Sequence, residues 1–430
     1  MPARSGAVLL VYSRGYLMLK IGVGNLRVEI TTGTPYEPGT IAKYYLKFSN
    51  DSVAAVYKSG ILKSVSDRNS ETIRTLGGSL VTLEPDVNSG GYITTAPTQQ
   101  QLELFNDTVK RLETLNDLVF AKKKLLITKH EQFEYEREVP SDANIIGFFR
   151  RIKSRSALEA ISQQVNAHLG AMDIVHPDIG DRDYLAFSFS QGCDGGCIKC
   201  NFQHMRKLVP RDGQELQAQI DFYKTIYSEQ ERSQFEIFAG NHRGLGIDFK
   251  MFKEYISHIR NEAGMREGRV FAFCNAEDIL RLYDQYGKKD LEAAMLQIGL
   301  QLNLGIESGS PAGLKEYGKN IDLASMKKAL TILKSMQVRY SVNIVAGVTW
   351  DNHVPGTVQL FRALYRPGDN RPAVYSSEFK DKWGNVDVQL EKEQNAIFRN
   401  CLNDCGIYVF KYTFIPFNKN TESAVMPKLL

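Results

Sequence analysis

The sequence predicts an α/β fold preceded by an α+β region, and three observations carry that expectation. From residue 181 to residue 415 short apolar runs alternate with amphipathic stretches, the pattern of a parallel sheet with helical crossovers. Over residues 1–60 the apolar runs are closely spaced, rich in β-branched and aromatic residues, and separated by Gly, Pro, Asn and Thr. Between these regions lie longer stretches with a helical period. The expected organisation is an N-terminal α+β domain at 1–180, a β/α body at 181–415 and a tail at 416–430.

The first region is read as strands at 7–12, 16–23, 26–30 and 41–48. Gly22 and Gly24 resemble a fragment of a glycine-rich loop, but no third glycine or helix follows, so they read as a turn. Residues 88–97 are rich in small residues and loop-like. A helix is expected over 98–124, with Leu102, Phe105, Val109, Leu112 and Val119 on one face and Lys122, Lys123 and Lys124 suited to its C-terminal dipole. Residues 148–155 mix Phe148 and Phe149 with Arg150, Arg151, Lys153 and Arg155. Such a mixture suits a nucleic-acid or acidic surface, or simply a solvated helix start. Ser156 and Glu159 read as a capping box for a helix burying Leu158, Ile161, Val165 and Leu169.

The second region is read as six strand–helix units. Strands are expected at 184–190, 235–239, 269–274, 302–306, 340–345 and 407–414. Helices are expected at 214–228, 248–262, 277–286, 291–298, 323–336 and 388–405. Residues 348–387 hold Pro355, Pro367, Pro372 and several glycines, and read as a long irregular loop, a candidate lid.

The chain has 430 residues, 43% of them hydrophobic and 24% charged, the balance of an ordinary globular protein. A net charge of +4 neither demands nor excludes nucleic acid. The run at 7–12 is too short for a signal-peptide core, and no apolar run reaches a membrane span. Three of the six cysteines fall in one loop, which is no disulfide framework and implies a reducing, cytoplasmic setting.

That loop carries the chemistry. Cys193, Cys197 and Cys200 stand at C-x3-C-x2-C directly after the first body strand. Soft thiolates select iron–sulfur clusters, zinc or copper(I). Three thiolates on a cubane of four irons leave one iron open to another ligand. Cys200 is followed by His204, so a Cys3His zinc shell is an alternative, as are three unligated thiols.

On this motif the chain resembles the radical S-adenosylmethionine (SAM) enzymes, whose C-x3-C-x2-C loop follows the first strand of a partial (β/α)6, TIM-like barrel. The resemblance implies a [4Fe-4S] cluster on Cys193, Cys197 and Cys200, with S-adenosyl-L-methionine on the open iron. It also implies an electron donor such as flavodoxin or ferredoxin. In barrels of this kind the chemistry sits at the carboxyl ends of the strands.

Further candidates follow from that rule. The second strand ends at Gly240 and Asn241, where the family often has Gly-Gly-Glu; Asn241 could accept a hydrogen bond from the SAM ammonium but brings no charge. A simple strand-ending turn is the competing account. The run Gly305-Ile306-Glu307-Ser308-Gly309-Ser310 resembles a stretch in the branch holding methylthiotransferases, cobalamin-dependent enzymes and the Elongator-type subunit. Glu307 and Ser308 are therefore candidate SAM contacts; the competing account pairs Glu307 with a nearby lysine. Asn343, on one face of its strand with Ser341 and Val345, reads as a lumen residue or a satisfied core amide. Gly347 could admit adenine close to the backbone.

Cys274, at a strand end, is a candidate hydrogen-atom donor or radical relay. Cys401 and Cys405, four apart on a helix, could join Cys274 in an auxiliary cluster, though ordinary buried thiols are the preferred reading. The substrate is open among small molecule, peptide and RNA. A different class is a non-catalytic barrel that keeps zinc or a cluster for structure or interaction.

Overall fold

The computed structural model describes residues 18–23, 26–32, 43–67, 70–74, 78, 80–85, 92–120, 126–130, 142–169, 184–191, 193–195, 197, 207–240, 243–265, 268–379 and 387–412. Cys200, His204 and Asn241, the expected strand at 7–12, Lys122–124 and the tail lie outside the described residues. Two large sheets organise the chain, and among the described residues no helix is long and apolar enough to cross a membrane.

The N-terminal sheet has nine antiparallel strands in a meander, closed on one side by Leu126–His130 pairing with Met18–Val23. The expected strands appear as Met18–Val23, Leu26–Thr32 and Lys43–Phe48. Five more follow between Val53 and Thr95. They escape an apolar-pattern reading because hydroxyl residues occupy buried positions. Thr72 and Thr82 sit opposite each other across a strand pair with their hydroxyls 3.2 Å apart, and both are buried. A paired hydroxyl can be buried at little cost.

The helix Gln99–Phe120 buries Phe105, Val109 and Leu112, as its period predicts. In the helix Asp142–Arg151, Phe148 and Phe149 are core residues, and the Phe148 ring lies 4.5 Å from Tyr44. The aromatics of the basic stretch thus point inward, away from any stacked base. Arg150 is exposed, while Arg151 donates to the Lys58 carbonyl at 2.8 Å. The next helix, Arg155–Leu169, starts one residue before Ser156. Its first turn is capped by Ser154, whose hydroxyl accepts from the Ala157 amide at 3.3 Å.

The second sheet is all parallel. Its strands are β1 (Tyr184–Ser188), β2 (Glu236–Gly240), β3 (Val270–Cys274), β4 (Leu300–Glu307), β5 (Tyr340–Ala346), β6 (Ala373–Glu378) and β7 (Val409–Tyr412), hydrogen-bonded in sequence order. The intervening helices are α1 (Gly213–Ile226), α2 (Phe249–Ala263), α3 (Ala276–Gln297), α4 (Pro311–Tyr317), α5 (Leu323–Ser335), α6 (His353–Leu364) and α7 (Val388–Asn403). A strand order that never reverses, with crossovers of one hand, puts every helix on the same face. Such a sheet buries its other face by curling on itself, the partial-barrel arrangement.

The register separates the two faces. Leu185, Ile237, Val270, Leu302, Leu304, Val342 and Ile344 form the buried layer under the helices. Phe187 belongs to this layer too, with its ring 5.1 Å from Tyr223 of α1. The lumen face carries Tyr184, Phe238 and Phe273, whose rings touch in series at 5.8 and 5.5 Å, together with Asn303, Gly305, Asn343 and Tyr375.

The sheet has seven strands rather than the expected six. The stretch read as an irregular lid contains α6 and β6. Pro355 falls in the first turn of α6, where a missing amide proton costs nothing, and Pro372 stands just before β6. The helical stretches expected at 277–286 and 291–298 are one element, α3, interrupted at Gly287 (φ 68°).

The N-terminal sheet meets this body at the amino end of β2. Tyr57 packs its ring 5.2 Å from Tyr227 and 5.4 Å from Phe235, and the Ser59 amide donates to Glu231 Oε1 at 2.8 Å. Tyr92–Thr95 lies against β7. The carboxyl ends of β2–β4 are thereby left to the loops that carry the candidate residues.

Candidate metal and cofactor site

The loop after β1 brings two of the three motif sulfurs together. The Gly195 amide donates to Cys193 Sγ at 3.4 Å, and Cys197 Sγ donates to the Gly195 carbonyl at 3.6 Å. A Cβ placed on Gly195 would lie 3.4 Å from Cys193 Sγ and 3.7 Å from Cys197 Sγ. The two sulfurs therefore converge on one glycine, and both are only partly exposed. Burial pushes both thiols up. The Gly195 amide and Arg243 oppose that at Cys193, and Lys319 opposes it at both. Donor type and convergence fit a thiolate-bound metal or cluster.

The loop is tied to the start of α3. The Gly195 Cβ position lies 3.3 Å from Asn275 Nδ2, at the N-cap of α3. Arg243, beyond β2, donates from Nε to both oxygens of Asp278 at 3.0 and 2.9 Å, and its other arm binds Asp194 inside the loop. Asp278 is fully buried and also accepts from the Asn275 amide at 2.9 Å. Burial disfavours the Arg243 charge, but the Asp278 and Asp194 carboxylates outweigh it and hold the guanidinium above its ordinary value.

Glu307 closes β4 at a bulge, in the left-handed region at φ 63°. Lys319 Nζ stands 3.5 Å from its Oε1 and donates to the Gly305 carbonyl at 2.9 Å. Both side chains are nearly enclosed, 13% and 5% exposed. Burial raises the Glu307 carboxyl, with Lys319 pulling the other way. A Cβ at Gly305 would sit 2.8 Å from Glu307 Oε1 and 3.3 Å from Lys319 Nζ, so glycine leaves this pair its room. A cavity of about 720 Å³ opens between the cysteine loop, at Asp194 and Gly195, and the α4–α5 segment around Lys315, Lys319 and Ile321.

Ser308 is fully buried, and its hydroxyl is 2.9 Å from His353 Nδ1, while His353 Nε2 is 2.9 Å from the Val345 carbonyl. The carbonyl requires the proton on Nε2, so Nδ1 accepts from Ser308. Burial lowers the His353 pKa, keeping the ring neutral. Ser308 thus anchors the turn after Glu307 to α6.

Asn343 lies beside Gly305 and Tyr375 on the lumen face. Its Oδ1 is enclosed with no hydrogen-bond partner among the described residues, and so is Oδ1 of Asn303. Gly347, at φ 86°, gives its amide to Gln394 of α7 at 2.9 Å. Gly240 ends β2 level with Ser188 of β1.

Cys274 stands behind this site, within electrostatic reach of Asp278, Arg243 and Lys319. The register sets it beside Leu304, in the layer under the helices, with its thiol donating to the Asn303 carbonyl at 3.7 Å. It is fully enclosed, which raises its pKa well above the ordinary value. Among the described residues no group of three or more His, Cys, Asp or Glu side chains converges as a metal site, and Cys274, Cys401 and Cys405 are not brought together as one. The residues that sequence reasoning missed are Arg243, Asp278 and Lys319. Arg243 and Asp278 meet across 35 residues of chain, which no local spacing announces, while Lys319 is one of several lysines that could have met Glu307.

No family model and no curated protein matches the chain. Among solved structures, the cobalamin-dependent S-adenosylmethionine radical enzyme OxsB, with aqua-cobalamin and S-adenosylmethionine bound, matches at 16% identity and a TM-score of 0.33. That match covers 50% of this chain but only 30% of OxsB. A radical SAM methyltransferase from Sphaerobacter thermophilus matches at 13% identity and a TM-score of 0.38, over 59% of this chain and 81% of its own. Methylornithine synthase (PylB) matches at 15% identity and a TM-score of 0.36, over 73% and 89%. Each likeness is remote.

Proposed function

We propose that this chain is a radical SAM enzyme. The observation that carries the reading is the convergence of Cys193 and Cys197 on Gly195, in a C-x3-C-x2-C loop at the carboxyl edge of the first strand of a non-reversing parallel sheet. Cys193, Cys197 and Cys200 would hold a [4Fe-4S] cluster. Such a cluster, with SAM on its open iron and an electron from a flavodoxin- or ferredoxin-type donor, supplies a 5′-deoxyadenosyl radical that abstracts hydrogen from substrate.

The chain's own residues bind, orient and exclude water. Asn343, with an enclosed oxygen awaiting a donor, and Glu307, together with Gly240 at the end of β2 and Asn241 next to it in sequence, are the proposed SAM contacts. An unpartnered buried carbonyl oxygen costs about 1–3 kcal/mol, a cost that a bound donor would relieve. Lys319 holds the Glu307 carboxylate, and Ser308 and His353 hold the turn that follows it. The aromatic series Tyr184, Phe238 and Phe273 lines the lumen with apolar rings, a surface that favours keeping water from a bound radical.

The test is metal analysis of protein purified without oxygen. Iron and acid-labile sulfide in equal amounts, with a brown colour, are expected. A colourless protein holding zinc would replace this reading with a non-catalytic metal barrel.

A further inference from the structure

The cysteine loop meets the rest of the body through a charged tie whose central member lies far from the motif in sequence. Arg243 is 13% exposed and chelates the fully buried Asp278 through Nε and Nη2, with Nη2 2.8 Å from Oδ1. Its remaining nitrogen binds Asp194, which is 51% exposed. Asp278 is fixed in turn by the Asn275 amide, and Arg281 stands 3.7 Å away. Asp194 lies between Cys193 and Cys197, so whatever fixes its carboxylate limits how far the two sulfurs can part.

We propose that Arg243 is the positioning residue of the metal loop: by bridging Asp194 to Asp278 it holds Cys193 and Cys197 in a ligating arrangement before any metal arrives. The guanidinium suits this role because its rigid planar fork grips one carboxylate through Nε and Nη2 while Nη1 reaches another, a fixed geometry that an ammonium lacks. Most of its interaction with Asp278 is shielded from water, so the anchor is firm. Only the Asp194 end is open, so that end can be cut without disturbing the core. Groups that orient metal ligands from behind typically contribute about 10–100-fold in metal affinity.

The inference rests on the proposed function only in taking the loop as metal-binding, and its test avoids iron and SAM altogether. The reduced apo chain is titrated with Co²⁺ without oxygen, reading the thiolate-to-cobalt charge-transfer absorption. Asp194→Ala, which leaves the buried pair in place, is expected to weaken Co²⁺ binding about 10–100-fold with an unchanged urea midpoint. Arg243→Lys should weaken it similarly, and the double variant should be no worse than the weaker single one.

Wild-type affinity in Asp194→Ala, or losses that simply add in the double variant, would overturn the proposal. If the tie controls Co²⁺ affinity while the native protein never carries iron, the positioning role stands and the radical SAM reading falls. Wild-type Co²⁺ affinity no better than that of Cys193→Ala would remove the metal site and both readings with it.

Discussion

Lys319 stands 3.5 Å from Glu307 Oε1 in a pocket that almost excludes water, and its Nζ also donates to the Gly305 carbonyl. The pair joins the end of β4 to the segment leading into α5, beside the cysteine loop. Removing one partner of such a pair leaves a buried charge without compensation. Lys319→Met is therefore expected to cost about 3 kcal/mol in urea unfolding at neutral pH. Lys319→Met combined with Glu307→Gln should recover most of that loss, because the stranded carboxylate goes too. Equal losses in the single and double variants would show that the pair is not the source.

His353 makes stability depend on pH. Burial lowers its pKa in the folded chain, so the unfolded chain binds more protons as the pH drops below the ordinary histidine value. Its contribution is complete above about pH 6.5 and is lost as the pH falls through the lowered folded value. Wild-type melting temperature should fall over that range. His353→Gln should be less stable at neutral pH and should show a shallower fall. An identical slope in the two proteins would assign the pH dependence elsewhere.

Cys274→Ala separates packing from chemistry. The thiol sits under the helices beside Leu304, so its loss should leave SAM cleavage intact. The cost should be a modest loss of stability, about 1 kcal/mol, from a small cavity. Loss of 5′-deoxyadenosine formation in a folded variant would restore Cys274 to the chemistry.

Several parts of this arrangement were legible in the sequence. The cysteine spacing marked the loop after β1, where Cys193 and Cys197 come together, and the alternation of apolar and amphipathic runs gave most of the sheet. Strand β6 was hidden between Gly368 and Pro372 on one side and a stretch beginning with a second glycine, Gly384, on the other. The facing of Cys274 was not legible, because both sides of β3 are buried and the run Val270–Cys274 has no alternation to read. Arg243 was equally silent: it gains its role only when separate crossovers bring it beside Asp278 and Asp194 at one edge of the sheet. Glu307 and a lysine partner were foreseeable as a pair, though not which lysine.

The central claim is tested most directly by reconstituting the full chain with iron and sulfide, adding SAM and dithionite without oxygen, and measuring 5′-deoxyadenosine. Wild-type protein is expected to form it, and Cys193→Ala, Cys197→Ala and Cys200→Ala to form none. Product at the wild-type level in any of the three, or none from a wild-type chain that carries its cluster, would contradict the account.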